Sequence, residues 1–100
     1  MTRTRLPRLT PEDQDAALAA LPAWRHDPAR DAIARSFAFP DFAAAFAFMT
    51  RVALIAERMD HHPEWFNRWN RVDIVLTTHA AAGLSQRDVA MAQAIDAIAA

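Results

Sequence analysis

The sequence predicts an α+β domain in which an antiparallel sheet carries its helices on one face. Two segments alternate apolar and polar residues, as half-buried strands do. Three others begin at a capping or helix-starting residue and continue with apolar residues at helical spacing. The resulting order is helix, strand, strand, helix, strand, strand, helix, which is typical of an α+β fold. At 100 residues, with no repeat or linker, the chain 1–100 is predicted to be one domain.

The first helix and the segment after it are marked by capping residues and prolines. Thr10 is a suitable N-cap, Pro11 fits the first turn, and Asp13 follows three residues after the cap. Pro22 ends the helix. AWRHD is then a short strand or extended segment, and DPARD is a turn.

Two stretches have the alternation of strands. DAIARSFAF turns Ile33, Phe37 and Phe39 to one face, although Arg35 interrupts it. EWFNRWN and RVDIVLTTH form a predicted hairpin that turns near Asn70. The second strand of this hairpin directs four side chains one way: Val72, Ile74, Leu76 and Thr78.

The longest predicted helix, PDFAAAFAFMTRVALIAERMD, is apolar nearly all round. One stripe at helical spacing comprises Phe42, Phe46, Met49, Ala53 and Ala56, and a second comprises Phe48, Val52, Ile55 and Met59. One stripe can pack on the sheet, whereas the other needs a cover from another helix or from a second subunit. We expect the stripe with Phe48, Val52 and Ile55 to lie between subunits of a homo-oligomer.

The last helix is predicted to begin at Ser85, with Asp88 as the capping partner three residues later. AAAGL, around the only glycine, is the loop before it. The predicted buried face of this helix comprises Ala90, Ala94, Ile95 and Ile98.

The composition excludes several kinds of chemistry. The chain contains no Cys and no Lys, so it has no thiolate nucleophile, thiolate metal site or Schiff-base lysine. A single glycine excludes Gly-rich phosphate loops, and no cofactor is expected. The net charge of −1 gives no drive toward nucleic acid or an anionic membrane. Proton transfer by His, Asp and Glu remains.

The amino-terminal segment MTRTRLPRL carries Arg3, Arg5 and Arg8 without an apolar run behind them. It therefore does not resemble a secretory signal, and a transit peptide is the weaker alternative. No stretch has the 18 or so uninterrupted apolar residues of a membrane span, so we expect a cytoplasmic protein with no membrane partner.

The segment ERMDHHPEWFNRWN concentrates titratable side chains at one helix end. His62 precedes Pro63, so the long helix should end near His61. Glu57 lies one turn before His61, where its carboxylate could accept from the imidazole and orient it. Histidine titrates nearest to neutral pH, which makes His61 a candidate proton donor.

Two alternatives stay open from the residues alone. A helix-end histidine can serve only as a C-cap or dipole partner, and Asp88 is explained by a capping box. A metal site formed by His61, His62, His79 and a carboxylate is the chemical rival. Adjacent histidines on a helix point about 100° apart, which disfavours chelation by that pair.

The spacing of these residues resembles the pterin-4a-carbinolamine dehydratase family. The run consists of Glu57, three residues, His61-His62-Pro63, five residues, Trp69, nine residues, His79, eight residues and Asp88. PEWFN and GLSQRD add further specific matches. Trp69 stands where the family often has Tyr.

The resemblance implies a four-stranded antiparallel sheet with three helices, assembled as a dimer or tetramer. It also implies dehydration of 4a-hydroxytetrahydropterin to quinonoid dihydropterin, which recycles the cofactor of aromatic amino-acid hydroxylases. His61 and His79 would be the general acid and base, Glu57 would orient His61, and His62 would hold the pterin. The implied supporting residues are Asp60, Thr78, Arg87 and Asp88, with Trp24 as a possible pterin neighbour.

The same resemblance leaves a second kind of function open. Some animal members of the family bind a homeodomain transcription factor and promote its dimerisation. A non-catalytic interaction module is therefore the alternative to an enzyme. The intact histidine set favours the enzyme.

Overall fold

A computed structural model describes residues 6–100 and shows three α-helices beside a four-stranded antiparallel sheet. In chain order the elements are α1 (Pro11–Ala20), β1 (Arg25–Asp27), β2 (Ala32–Ala38), α2 (Phe42–Met59), β3 (Glu64–Arg68), β4 (Arg71–Leu76), a 3-10 helix (His79–Ala81) and α3 (Gln86–Ala99). The predicted fold class and element order are confirmed. Arg3 and Arg5 lie outside the described residues. Within 6–100, no helix is both long enough and apolar enough to cross a bilayer.

The sheet has the strand order β1-β2-β4-β3, which puts β2 and β4 at its centre. Their register pairs Ile33 with Leu76 and Phe37 with Val72. The predicted alternation in β4 is confirmed, since Val72, Ile74 and Leu76 are fully buried. These side chains form the core together with the inward faces of the helices.

Capping residues begin the three helices. Thr10 accepts from the backbone N–H of Asp13, and Asp41 accepts from that of Ala44. Ser85 and Asp88 form the predicted capping box of α3. These caps satisfy backbone donors that would otherwise lack partners at helix ends.

The expected subunit interface on α2 was wrong. Phe48, Val52 and Ile55 are at most 6% exposed within the single chain, where α2 packs against β4 and α3. The apolar side chains left outside are Phe42, Phe46 and Leu54, which are 49%, 57% and 65% exposed. We call these three residues the outer row of α2. The apolar pattern showed two stripes. The stripe that was expected to contact a second subunit is the one that packs inside the chain.

The predicted buried face of α3 was partly wrong. Ile95 is fully buried and Ala94 and Ile98 are partly buried, but Ala90 is exposed. The buried residues are Asp88, Met91, Ala92 and Ile95, a stripe at helical spacing that begins with a carboxylate. The prediction counted only apolar residues and so left out this carboxylate. The predicted buried face is therefore rotated about the helix axis relative to the observed one.

Candidate active site

The carboxyl end of α2, the loop after β4 and the start of α3 line an open hollow of about 270 Å³. Its wall contains Leu6, Asp60, His61, His62, Thr77, Thr78, His79, Ala80 and Arg87. The structure therefore brings together the three predicted site histidines from two separate parts of the chain. A larger hollow of about 410 Å³ beside α1 has no histidine in its wall and offers less chemistry.

The end of α2 sends its two histidines in different directions. Asp60 adopts a left-handed conformation with φ 50°, and the backbone N–H of His61 donates to the carbonyl of Ala56 at 3.1 Å. Pro63 prevents the helix from resuming. As a result, His61 turns inward and is 8% exposed, whereas His62 remains exposed.

His61 forms a buried pair with Asp88. Its Nε2 lies 2.6 Å from Oδ1 of Asp88, a fully buried residue. Oδ2 of the same carboxylate accepts from the Thr78 hydroxyl at 2.7 Å and from the backbone N–H of Ser85 at 3.0 Å. Because the carboxylate accepts from every partner, Nε2 of His61 is the donor, which makes Nδ1 the acceptor nitrogen of the neutral ring.

Glu57 does not orient His61, contrary to the prediction. Its carboxylate lies 2.8 Å from Nε2 of His62, and both side chains are more than half exposed. The prediction assumed that residue 61 continues the helix. The left-handed conformation of Asp60 redirects the chain, so that the Glu57 carboxylate contacts His62 instead of His61.

His79 begins the 3-10 helix after β4 and is exposed. A third hollow, of about 400 Å³, shares Thr77, Thr78 and His79 with the 270 Å³ hollow and continues to Arg30 and Gly83. Arg30 donates to Glu64 at 2.7 Å beside this loop. This hydrogen bond, more than the charge of the nearby His79, holds the pKa of Glu64 below its usual value.

Arg87 joins the two helices that meet at the hollow, because its guanidinium donates to the backbone carbonyl of Asp60 at 3.1 Å. The next residue, Asp88, is bonded to His61 and Thr78. Trp24 lies outside the wall of the hollow. It is 4% exposed, packs in the core and donates to Asp96 at 2.8 Å.

The His61–Asp88 pair and the wall residues Leu6, Thr77 and Ala80 were missed by the sequence reasoning. The capping box explained Asp88 completely at the sequence level. However, the structure uses only one carboxylate oxygen for the cap, so the other can bind a side chain. One sequence signal was available. The aspartate in the capping position is followed by an apolar stripe on the same side of the helix, which indicates that its side chain faces the interior.

The described part of the chain brings no three His, Cys, Asp or Glu side chains into a metal-binding arrangement. His61 and His62 are instead bonded to two different carboxylates.

The model of the family described as pterin 4 alpha carbinolamine dehydratase matches residues 7–98. The chain belongs to this family. A Rhizorhabdus wittichii relative, provisionally named pterin-4-alpha-carbinolamine dehydratase, is 71% identical over 91% of this chain and 94% of its own. A Rhodopseudomonas palustris relative with the same provisional name is 58% identical over 93% of this chain and 92% of its own.

The fold of this chain is similar to solved structures whose descriptions name a pterin dehydratase. One is a transcriptional coactivator/pterin dehydratase from Brucella melitensis, with a TM-score of 0.89 and 50% identity over 93% of this chain and 99% of that one. Another is a pterin dehydratase-like protein identified as a RuBisCO assembly factor in the alpha-carboxysome. It has a TM-score of 0.68 and 27% identity over 77% of this chain and 89% of that one.

Proposed function

We propose that the protein dehydrates 4a-hydroxytetrahydropterin to quinonoid dihydropterin by histidine acid–base catalysis. An acid protonates the departing 4a-hydroxyl, the bond from carbon 4a to this oxygen breaks, and water leaves. The lone pair of the neighbouring ring nitrogen forms the new double bond, while a base removes the proton from that nitrogen. One proton is given and one is taken, so the enzyme is restored after proton exchange with water.

The buried His61–Asp88 pair at the wall of the hollow carries this proposal. A carboxylate that accepts from one imidazole nitrogen fixes the tautomer and stabilises the protonated ring. His61 can therefore exchange a proton through its other nitrogen without a change of position. A purely structural histidine would not need to stand at the wall of an open hollow.

His79 supplies the second proton-transfer group in this proposal, from the opposite element of the wall. His62, held by Glu57, binds the pterin ring, and Asp60 and Arg87 shape the charge around it. Thr78 acts through Asp88, to which its hydroxyl donates. The sequence prediction of the acid and base is kept, with Asp88 replacing Glu57 as the partner of His61.

The direct test is a spectroscopic assay of 4a-hydroxytetrahydropterin dehydration with purified protein. We expect dehydration well above the uncatalysed rate. We also expect it to persist after dialysis against a strong chelator, because protonation of the leaving hydroxyl replaces Lewis-acid assistance. If activity disappears on chelation and returns with zinc, the metal alternative is correct. If no dehydration occurs before or after, the proposed reaction is wrong.

A homo-oligomer is part of the proposal, because the outer row of α2 leaves two phenylalanines and a leucine exposed. The rings of Phe42 and Phe46 contact each other at a tilt of 38° with centroids 5.7 Å apart, and Leu54 lies eight residues beyond Phe46 on the same side of the helix. Burial of such a row against a second copy is favourable by roughly 25 cal/mol per Å². Either a dimer or a tetramer could bury this surface.

A non-catalytic interaction module is the second candidate function, and the same exposed row favours it. Two solved relatives have descriptions that include an interaction role, one as a transcriptional coactivator/pterin dehydratase and one as a RuBisCO assembly factor. Dehydration activity in the assay above separates the two. A cytoplasmic location and a partnership with an aromatic amino-acid hydroxylase pathway remain predictions of the same proposal.

A further inference from the structure

Asp31 lies in the turn between β1 and β2 in a left-handed conformation, with φ 49°. This conformation is unfavourable for a residue other than glycine, although Asp tolerates it better than most. The Asp31 side chain is only 14% exposed. A conformation that local energetics do not favour is therefore held by contacts elsewhere.

Four hydrogen bonds hold Asp31. Its carboxylate accepts from Nη2 of Arg8 at 2.8 Å, from Nε2 of His26 at 2.9 Å and from the backbone N–H of Leu84 at 3.1 Å. Its backbone carbonyl accepts from the hydroxyl of Thr77 at 3.1 Å. Partial burial alone would raise the pKa of Asp31, but the hydrogen bonds from His26, Arg8 and Leu84 together lower it.

Two of these partners stand at the two ends of the loop that carries His79. Thr77 precedes His79, and Leu84 follows the loop. Thr78 and Gly83 close the loop with reciprocal backbone hydrogen bonds of 3.1 and 3.2 Å. Gly83 packs directly on the Asp31 carboxylate, where a Cβ atom would collide with it. One aspartate thus fixes both ends of a loop whose middle lines the two hollows.

We infer that Asp31 is a positioning residue for His79 and acts through Thr77 and Leu84. The kinetic part of this inference rests on the proposed function, whereas the placement of the His79 ring does not. Asp31 itself stands outside the walls of both hollows that contain His79. In this inference Asp31 acts on the site through its hydrogen bonds to the loop and not by contact with a ligand.

The test compares Asp31→Asn with Asp27→Asn. Asn tolerates the left-handed conformation as Asp does, so the first change removes charge and acceptor capacity while it keeps the backbone. Asp27 is an exposed carboxylate close by in the same turn region, which makes it the matched control for charge. We expect the NMR signals of the His79 ring to shift or broaden in Asp31→Asn only. The signals of His62 should stay unchanged in both variants.

The kinetic test places Asp31→Asn in the wild-type and in the His79→Ala background. We expect kcat to fall roughly 10- to 100-fold in the wild type, the scale of a misplaced catalytic group, with little change in KM. In His79→Ala the same substitution should change kcat less than about twofold, because residues that act as a unit are not additive. A general loss of structural integrity would lower kcat equally in both backgrounds.

Thr77→Val keeps the test decisive if Asp31→Asn does not fold, because it removes only the hydroxyl that bonds the Asp31 carbonyl. The same displacement of the His79 signals is expected. Unchanged His79 signals in a folded variant, or equal kinetic effects in the two backgrounds, would overturn the inference. If the wild type catalyses no dehydration, the proposed function fails while the NMR comparison still decides the role of Asp31.

Discussion

Asp88 combines two tasks that are usually given to different residues. One oxygen caps α3 through Ser85, and the other holds His61. We expect Asp88→Asn to lower kcat about 10²-fold or more, because an amide can present a donor to Nε2 and favour the wrong tautomer. Loss of the ionised cap should cost about 1 kcal/mol of stability. Steady-state kinetics and urea unfolding measure the two effects.

Thr10→Ala is the matched control for Asp88→Asn. Thr10 caps α1 with a single side-chain hydrogen bond and does not line the hollow that contains the histidines. It should lose a similar amount of stability, about 0.5–2 kcal/mol, with unchanged kcat. Equal activity losses in the two variants would show that Asp88 acts only through stability.

The three site histidines should differ in their kinetic effects. His61→Ala and His79→Ala should each lower kcat, and the double variant should lose roughly the 10²- to 10⁴-fold contribution typical of general acid–base catalysis. Either single variant should keep partial activity because the other histidine can still transfer a proton. His62→Ala should raise KM more than it lowers kcat. Circular dichroism must show that the variants are folded; a folded double variant with wild-type turnover would exclude this histidine cluster as the catalyst.

At the scale of the element, α2 has two apolar sides that differ in burial. Val52 is fully buried within the chain and Leu54 is 65% exposed in the outer row. Val52→Asp should destabilise the fold by at least about 3 kcal/mol, because it buries a charge without a partner. Leu54→Asp should leave each chain folded but weaken association. Thermal unfolding and light scattering distinguish the two outcomes.

Phe46→Asp extends this comparison within the outer row, where Phe46 is 57% exposed. It should dissociate the proposed oligomer, as is also expected of Leu54→Asp. All three substitutions add the same negative charge and differ in where they place it. A difference between the Val52 variant and the two outer-row variants therefore reports the position of the residue and not its charge. A wild-type protein that is monomeric at high concentration would contradict the proposed interface.

At the scale of the whole molecule, hydrogen-bonded carboxylates should make the fold sensitive to acid. The network around Asp31 lowers its pKa, and the hydrogen bond from Ser36 does most to lower that of Asp73. A depressed pKa contributes stability above the ordinary Asp value of about 3.9, and this contribution disappears as the pH falls through the lower folded value. The free energy of unfolding should therefore fall below about pH 4.

Asp31→Asn measures this contribution. Urea unfolding should show a loss of about 1–3 kcal/mol relative to the wild type at pH 7, where the wild-type carboxylate is charged. The difference should shrink at pH 3. Asp27→Asn, an exposed change in the same turn region, should stay within about 0.5 kcal/mol of the wild type at pH 7. A constant difference for Asp31→Asn at both pH values would show that its charge contributes nothing.

Local patterns predicted most of the fold and part of the site. Alternation identified the buried side of β4, and Thr10 and Ser85 marked the starts of α1 and α3. Each of these features depends on residues a few positions apart, which a linear pattern can represent. The gathering of His61, His62 and His79 came from their spacing and its family resemblance, because no local rule joins a helix end to a distant strand end.

By itself, the sequence determined the element order, the caps of α1 and α3, the strand faces and the group of histidines. Only the tertiary structure decided that Asp88 meets His61, 27 residues away, and that Glu57 meets His62. It also decided which apolar stripe of α2 enters the core. The reason is the same in each case. The rotation of a helix about its axis and the partner of a second carboxylate oxygen depend on how distant elements pack, and this packing is not encoded in any short segment.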